Sequence, residues 1–272
     1  MRGSPQRAPA TYAWAVAIDE QLIGALRLSS AEAGEGPEAG HRAFQSSTLS
    51  ALLDGAYEGD TTFAELARRG DLGIGTLNGC DGEMIAVDGR FLRADASGSV
   101  SEVPAEARTP FAVVTFFEGR HRFAAAPGAD FDGLCATIDA RGGAEAIVHA
   151  IRIDGRFESV HCRSVPKQSK PYRPLAEVIA DQRTFEFRAI EGAIVGFRFP
   201  NLGLGVGVPG FHLHFVSADR RRGGHVLDCR VGAEPARIEV DDLADLHVET
   251  PPGVEIGGNR VEQADVDALE RG

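Results

Sequence analysis

Phe211-His212-Leu213-His214-Phe215-Val216, followed by residues 217–222 and then Gly223-Gly224-His225-Val226-Leu227-Asp228, is the stretch whose reading decides the fold. Read as a strand, the first run puts alternate side chains on one face, so His212 and His214 share a side and Phe211, Leu213 and Phe215 take the other. The polar residues Ser217 to Arg222 make a turn, and Gly223 to Asp228 read as the returning strand. An antiparallel hairpin centred near Asp219 sets His225 opposite His212 or His214, within the roughly 5 Å that separates facing positions. Three imidazoles then converge. Three protein nitrogens around a divalent metal, with positions left for water or substrate, is the pattern of catalytic zinc, since a structural site closes four ligands. Three ordinary half-buried histidines are the bland alternative, and the shared strand face together with the hairpin partner weighs against it.

The rest of the chain sets bounds on that hairpin. With 272 residues, 43% apolar and 25% charged, it is long enough for one large or two modest domains with a real core. The net charge of −12 opposes nucleic-acid phosphates and anionic membrane surfaces, and the longest basic cluster is Arg220-Arg221-Arg222. Cys80, Cys135, Cys162 and Cys229 show no Cys-x-x-Cys spacing, which argues against a cysteine-built metal site or a redox pair and reads as free thiols in a reducing cytoplasm. Tyr12 to Ile18 is apolar and preceded by Arg2 and Arg7, but it runs straight into Asp19-Glu20 and is not read as a secretory signal. Nothing approaches the ~20 apolar residues of a membrane span.

In chain order, residues 1–40 read as a loosely ordered leader rich in Ala, Gly, Pro and Glu. Ser46 or Ser47 is expected to cap a short helix through Leu49, Leu52 and Leu53, and Thr62 to Glu65 spells a capping box. Residues 71–119 read as a meander of short strands, with Asp81-Gly82 and Asp88-Gly89 as hairpin turns. A helix is expected from Phe131 to Arg141, and Asp154-Gly155 is expected to turn one strand into the next. A further helix follows from Leu175 to Gln182, then two strands over Phe185 to Phe199 broken at Gly192, and strands near Arg237 and Leu246 close the chain. The expected fold class is α+β: two sheet-centred halves of mixed and antiparallel strands with a few helices, and a metal site on a β-hairpin. The division is 41–150 for an N-terminal sheet domain and 151–272 for a metal-binding sheet domain with a C-terminal tail. Edge strands in the first half are candidates for pairing across a homodimer.

A metal alone specifies no reaction, so the charged groups near it matter. Glu83 opens the apolar run Met84-Ile85-Ala86-Val87 after a tight turn, and is either a solvated rim charge or a placed site residue. Arg163 ends a strand and is either a salt-bridge partner or a fork for a substrate carboxylate. Glu270, in the tail, reads by itself as an exposed helical charge.

The blocks Gln45-Ser46-Ser47-Thr48-Leu49, Leu52-Leu53-Asp54-Gly55-Ala56-Tyr57-Glu58-Gly59-Asp60, Gly73-Ile74-Gly75-Thr76-Leu77-Asn78 and Asp81-Gly82-Glu83 belong together. With Thr109-Pro110-Phe111, Pro166-Lys167-Gln168, Lys170-Pro171-Tyr172, Gly210 to Phe215 and Gly223-Gly224-His225-Val226, they give the chain from about Phe44 onward a resemblance to the alpha-acetolactate decarboxylases. The resemblance implies a zinc lyase of acetoin and butanediol biosynthesis that converts 2-acetolactate, a small 2-hydroxy-3-oxo acid, to acetoin and carbon dioxide. It implies His212, His214 and His225 as Zn2+ ligands, Glu83 and Arg163 as catalytic residues, Thr76 and Arg163 against the substrate, and a tail glutamate, Glu270 rather than Glu262. The competing expectations are a cupin-like metal oxygenase and a non-enzymatic module clipped by a metal.

Overall fold

A computed structural model describes residues 42–141, 148–200 and 206–250, together with the backbone of 14–18 and 25–30. In order come β1 (Trp14–Ile18), β2 (Ala25–Ser30), β3 (Arg42–Ser46), α1 (Leu49–Leu53), β4 (Thr61–Thr62), α2 (Phe63–Leu66), β5 (Leu72–Thr76) and β6 (Glu83–Val87). They are followed by β7 (Arg90–Ala94), β8 (Val100–Glu102), β9 (Arg108–Thr109), β10 (Ala112–Thr115), β11 (His121–Ala125), α3 (Phe131–Asp139) and β12 (Val148–Ser164). The chain then forms α4 (Leu175–Ala180), β13 (Arg183–Phe199), β14 (Gly210–Ser217), β15 (Gly223–Val231), β16 (Ala236–Leu243) and β17 (Asp245–Glu249). The fold is α+β and mostly strand, as the alternating apolar runs require.

One sheet has the order β1-β2-β17-β3-β10-β5-β6-β7-β8, antiparallel throughout except where β17 runs parallel to β3. The other has the order β11-β16-β12-β13-β14-β15 and closes on itself, because β15 pairs back onto β12. Two strands cross between the sequence halves. β11 joins the second sheet beside β16, and β17 returns from near the C-terminus into the first sheet. Within the segment read as a leader, β1 and β2 pair with one another and β2 pairs with β17.

The long strands differ from their expected reading. Asp154-Gly155 is not a turn: β12 runs unbroken for 17 residues, because its first half pairs with β16, its second half with β15, and its other edge with β13 throughout. Gly192 does not break β13 either. It lets β14 approach, since a Cβ there would lie 2.3 Å from the Val216 carbonyl oxygen. Asp88 and Gly89, both at positive φ, make the expected two-residue turn between β6 and β7. Asp81-Gly82 instead ends a six-residue connection from β5 to β6. Thr48, not Ser46 or Ser47, caps α1 by accepting from the Ala51 amide, whereas Thr62 and Glu65 form the full capping box on α2. Among the described residues, no helix is long and apolar enough to cross a membrane.

Strand alternation builds the core in layers. On β6, Ile85 and Val87 face the second sheet and pack with Val195, Phe197 and Val216, while Met84 and Ala86 pack on the far face with Phe63 and Leu66 of α2. Inside the closed sheet, Phe157, Phe215, Val226 and Ile238 form a separate cluster, covered by Leu134 and Ile138 of α3. A fully buried Phe contributes ~1.5–3 kcal/mol by leaving water, so these layers hold the sheets face to face. Glu83 shares the face of Ile85 and Val87, and is therefore carried into the junction between the sheets.

Candidate active site

Strand pairing assembles the histidines. His214 on β14 stands directly opposite His225 on β15, and His212 sits two residues along the same strand. The three ring centroids are 5.1, 5.1 and 5.4 Å apart, and one nitrogen from each ring lies within 4.8 Å of the others. His214 Nδ1 is 2.8 Å from the Met84 carbonyl oxygen, an acceptor only, so Nδ1 carries the proton and the Nε2 lone pair faces inward. His212 Nε2 lies 3.2 Å from that Nε2. Burial holds both rings neutral: His214 is pushed down to about 3, and His212 well below its ordinary range by burial, then His214 and then Arg163. Neutral imidazoles are the form that binds a metal, and these three could hold one.

The charged partners arrive from both sheets. β12 ends beside β15 with Arg163 in register with His225. From the first sheet, Glu83 reaches between them, its Oε1 3.4 Å from Arg163 Nη1 and its Oε2 3.6 Å from His214 Nε2. Both side chains are buried, with Glu83 7% and Arg163 6% exposed. Burial pushes the Glu83 carboxyl up to about 7 against the pull of Arg163. Thr76 is the register partner of Glu83 and donates its hydroxyl to the Gly82 carbonyl at 2.7 Å, tying the end of the turn that launches β6.

A cavity of about 50 Å³ opens among these groups. Thr76, Glu83, Arg163 and His212 make its polar wall. Leu49 and Leu52 of α1, Leu175 and Ile179 of α4, and Phe111, Val165 and Val208 make the apolar one. Cys80 also lines it, its thiol pushed up to about 12 chiefly by burial. The structure thus brings together six of the seven residues singled out in the sequence. Glu270 lies outside the described residues. Sequence reading missed the apolar wall, because Leu and Ile on two short helices look like any core, and it missed the Met84 carbonyl, which leaves no side-chain signal.

Comparison with known proteins identifies the family. Residues 43–256 match the family model described as alpha-acetolactate decarboxylase. An alpha-acetolactate decarboxylase of Methylococcus capsulatus is 41% identical over 239 residues, covering 87% of this chain and 91% of its own. That of Brevibacillus brevis is 39% identical over 208 residues, 76% of this chain and 72% of its own. The crystal structure of alpha-acetolactate decarboxylase from Bacillus subtilis superposes with a TM-score of 0.78 at 33% identity, over 84% of this chain and 99% of that one. The matched span contains β6, β12, β14 and β15, the strands that carry Glu83, Arg163 and the three histidines, and on that ground the chain belongs to the alpha-acetolactate decarboxylase family of carboxy-lyases.

Proposed function

We propose that this chain decarboxylates 2-acetolactate to acetoin and carbon dioxide with zinc held by His212, His214 and His225. The observation that carries the reading is the convergence of those imidazoles beside a buried Glu83–Arg163 pair on one cavity. The chemistry of the donor set, three imidazoles, suits zinc, and one pair already has the spacing it would need: two tetrahedral zinc–nitrogen bonds of ~2.05 Å would hold their nitrogens about 3.3 Å apart, the His212 and His214 Nε2 atoms are separated by 3.2 Å, and His225 brings a nitrogen within 4.8 Å of both. Bound there, zinc would supply Lewis acidity, worth several kcal/mol to a developing negative charge on the substrate.

The chain's own residues do the rest. Arg163 presents a fixed fork of donors to the substrate carboxylate and orients the bond that breaks. When carbon dioxide leaves, the electron pair of that bond stays on the carbon beside the ketone and delocalises into the carbonyl. Glu83, whose Oε2 is the oxygen turned toward the histidines, holds the proton that this carbon receives. Thr76 keeps the β5–β6 connection in place through Gly82, and Glu270 adds a second carboxylate from the C-terminal tail. The apolar wall from α1 and α4 takes the two methyl groups and excludes water from the polar wall. We assign the reaction to the cytoplasm, in acetoin and butanediol biosynthesis, a placement supported by four free thiols.

Metal analysis of the purified protein combined with an anaerobic acetoin assay tests this. One zinc per chain, with acetoin formation lost on chelation and regained with zinc, is the expected result. Oxygen uptake in place of anaerobic carbon dioxide release points to the oxygenase, and unfolding on chelation with no acetoin at any stage points to a structural clip.

A further inference from the structure

Glu83 and Arg163 lie 3.4 Å apart, yet different sheets carry them. Arg163 stands in register with His225, which faces His214, so the guanidinium and the imidazoles all belong to the second sheet. Glu83 belongs to the first. Hydrogen bonds cross between the sheets on either side of that pair. One runs from the His214 ring to the carbonyl of Met84, the residue after Glu83. The other is donated by the Ser164 hydroxyl to the Ala94 carbonyl at 3.1 Å. Ser164 is the residue after Arg163, and Ala94 on β7 is the register partner of Glu83. Both are fully buried. The same carbonyl presses on the turn that launches β6: a Cβ on Gly82, at φ +81°, would lie 2.3 Å from the Ala94 oxygen.

A buried serine needs some acceptor, and one at the end of its own strand would satisfy it as well. Here the acceptor lies 70 residues away in the other sheet, against the residue before the acid. We infer that Ser164 is a positioning residue, whose hydroxyl fixes the carboxyl of Glu83 relative to the guanidinium of Arg163. The inference rests on the reading in which Glu83 supplies the proton and Arg163 holds the carboxylate. Ser164 does not line the cavity, so it acts through those two residues. Its loss falls on one kinetic constant. Arg163 and the imidazoles hold the substrate, and the β12–β15 ladder fixes their mutual geometry without Ser164. Turnover also needs the acid of the first sheet, which the hydroxyl keeps in line. The sheets stay joined without it, because the Val100 amide donates to the Arg221 carbonyl at 3.1 Å and the Gly223 amide to the Gly98 carbonyl at 3.0 Å.

Ser164→Ala tests the role, alone and combined with Glu83→Gln, in acetoin formation over a substrate series with metal content measured on each sample. Alone it should lower kcat about tenfold, leave KM within about threefold and keep the metal content of the parent. The melting midpoint should fall by only about 2–4 °C, as for one net hydrogen bond in a chain of this size. Amide exchange should quicken over residues 91–95 and 162–165 and stay unchanged over 212–216, the strand that carries two of the imidazoles. On the Glu83→Gln background the same change should lower kcat less than about threefold further, because the group it positions is already gone. A merely structural serine would instead give the same proportional loss on both backgrounds. That result overturns the inference, as does a kcat within about threefold of the parent, a loss carried mainly by KM, or amides at 91–95 whose exchange does not change. The two readings fail separately: Glu83→Gln with a near-parental kcat removes the acid and the positioning role together, whereas a crippled Glu83→Gln beside a near-parental Ser164→Ala removes Ser164 alone.

Discussion

Replacing Glu83 by Gln separates proton delivery from every other role that residue could have. The amide keeps the side-chain volume and an oxygen that can still accept from Arg163 Nη1, 3.4 Å away, but it has no acidic proton to give. The stability cost should be small. At 3.4 Å a charge pair attracts by about 5 kcal/mol in an effective dielectric of 20, while taking each ion out of water costs several kcal/mol. Which side prevails is visible in the carboxyl itself: burial raises it to about 7 although Arg163 pulls it down, so desolvation outweighs attraction. Removing the charge should therefore lower stability by less than ~1 kcal/mol and leave the three imidazoles in place. Catalysis should suffer far more. A positioned general acid contributes ~10²–10⁴-fold, which at 1.36 kcal/mol per decade is roughly 2.7–5.4 kcal/mol of barrier. The assay is acetoin formation at saturating substrate, with zinc content and thermal midpoint measured on the same sample. A kcat within about threefold of the parent at full zinc occupancy refutes the role of Glu83.

Three further outcomes follow from the same geometry. Arg163→Lys replaces a planar fork with a point charge and should lower kcat/KM by about 10–100-fold, mainly through KM, checked by substrate titration. Gly192→Ala puts a methyl 2.3 Å from the Val216 carbonyl and 2.6 Å from the Phe215 ring, prising β13 from the strand that carries His212 and His214. It should cost ~3 kcal/mol or more and drop zinc content below one per chain, read by thermal melting and metal analysis. Alkylation at pH 8 followed by mass spectrometry should modify Cys135, half-buried on α3, and spare Cys80, Cys162 and Cys229, whose buried thiols are all pushed far above that pH.

The three-histidine hairpin was legible because its signals are local: period-two alternation, a polar turn and a return within eighteen residues. The capping box on α2 was legible for the same reason. What sequence could not carry was partner choice at long range. The double pairing of β12 depends on β15 and β16, more than sixty residues away, and without that knowledge Asp154-Gly155 looks like a turn. Gly192 likewise reads as a break until β14 is known to lie against it. The ambiguity over Glu83 and Arg163 had the same origin. Each has a structural reading by itself, and only the meeting of β6 with β12 and β15 sets them against one another and against His214.

On the proposed reading, that meeting also lets an acid from one sheet be held in fixed relation to metal ligands from another. Sheets that pack by apolar side chains can shift by fractions of an ångström at little cost, and proton transfer tolerates little of that. Here the tolerance is removed at a single strand. The carbonyl that fixes the His214 ring belongs to Met84, and the carboxyl that faces the same ring belongs to Glu83, the residue before it. A displacement of β6 relative to β14 moves the acid and the anchor of the ligand together, so their relative position is set by one peptide unit rather than by the packing between sheets. Because the anchor is a main-chain carbonyl, it survives any side-chain substitution at residue 84 that β6 accommodates. The placement of the acid therefore depends on β6 keeping its register against β5, which the Thr76–Gly82 hydrogen bond at the mouth of their connection secures.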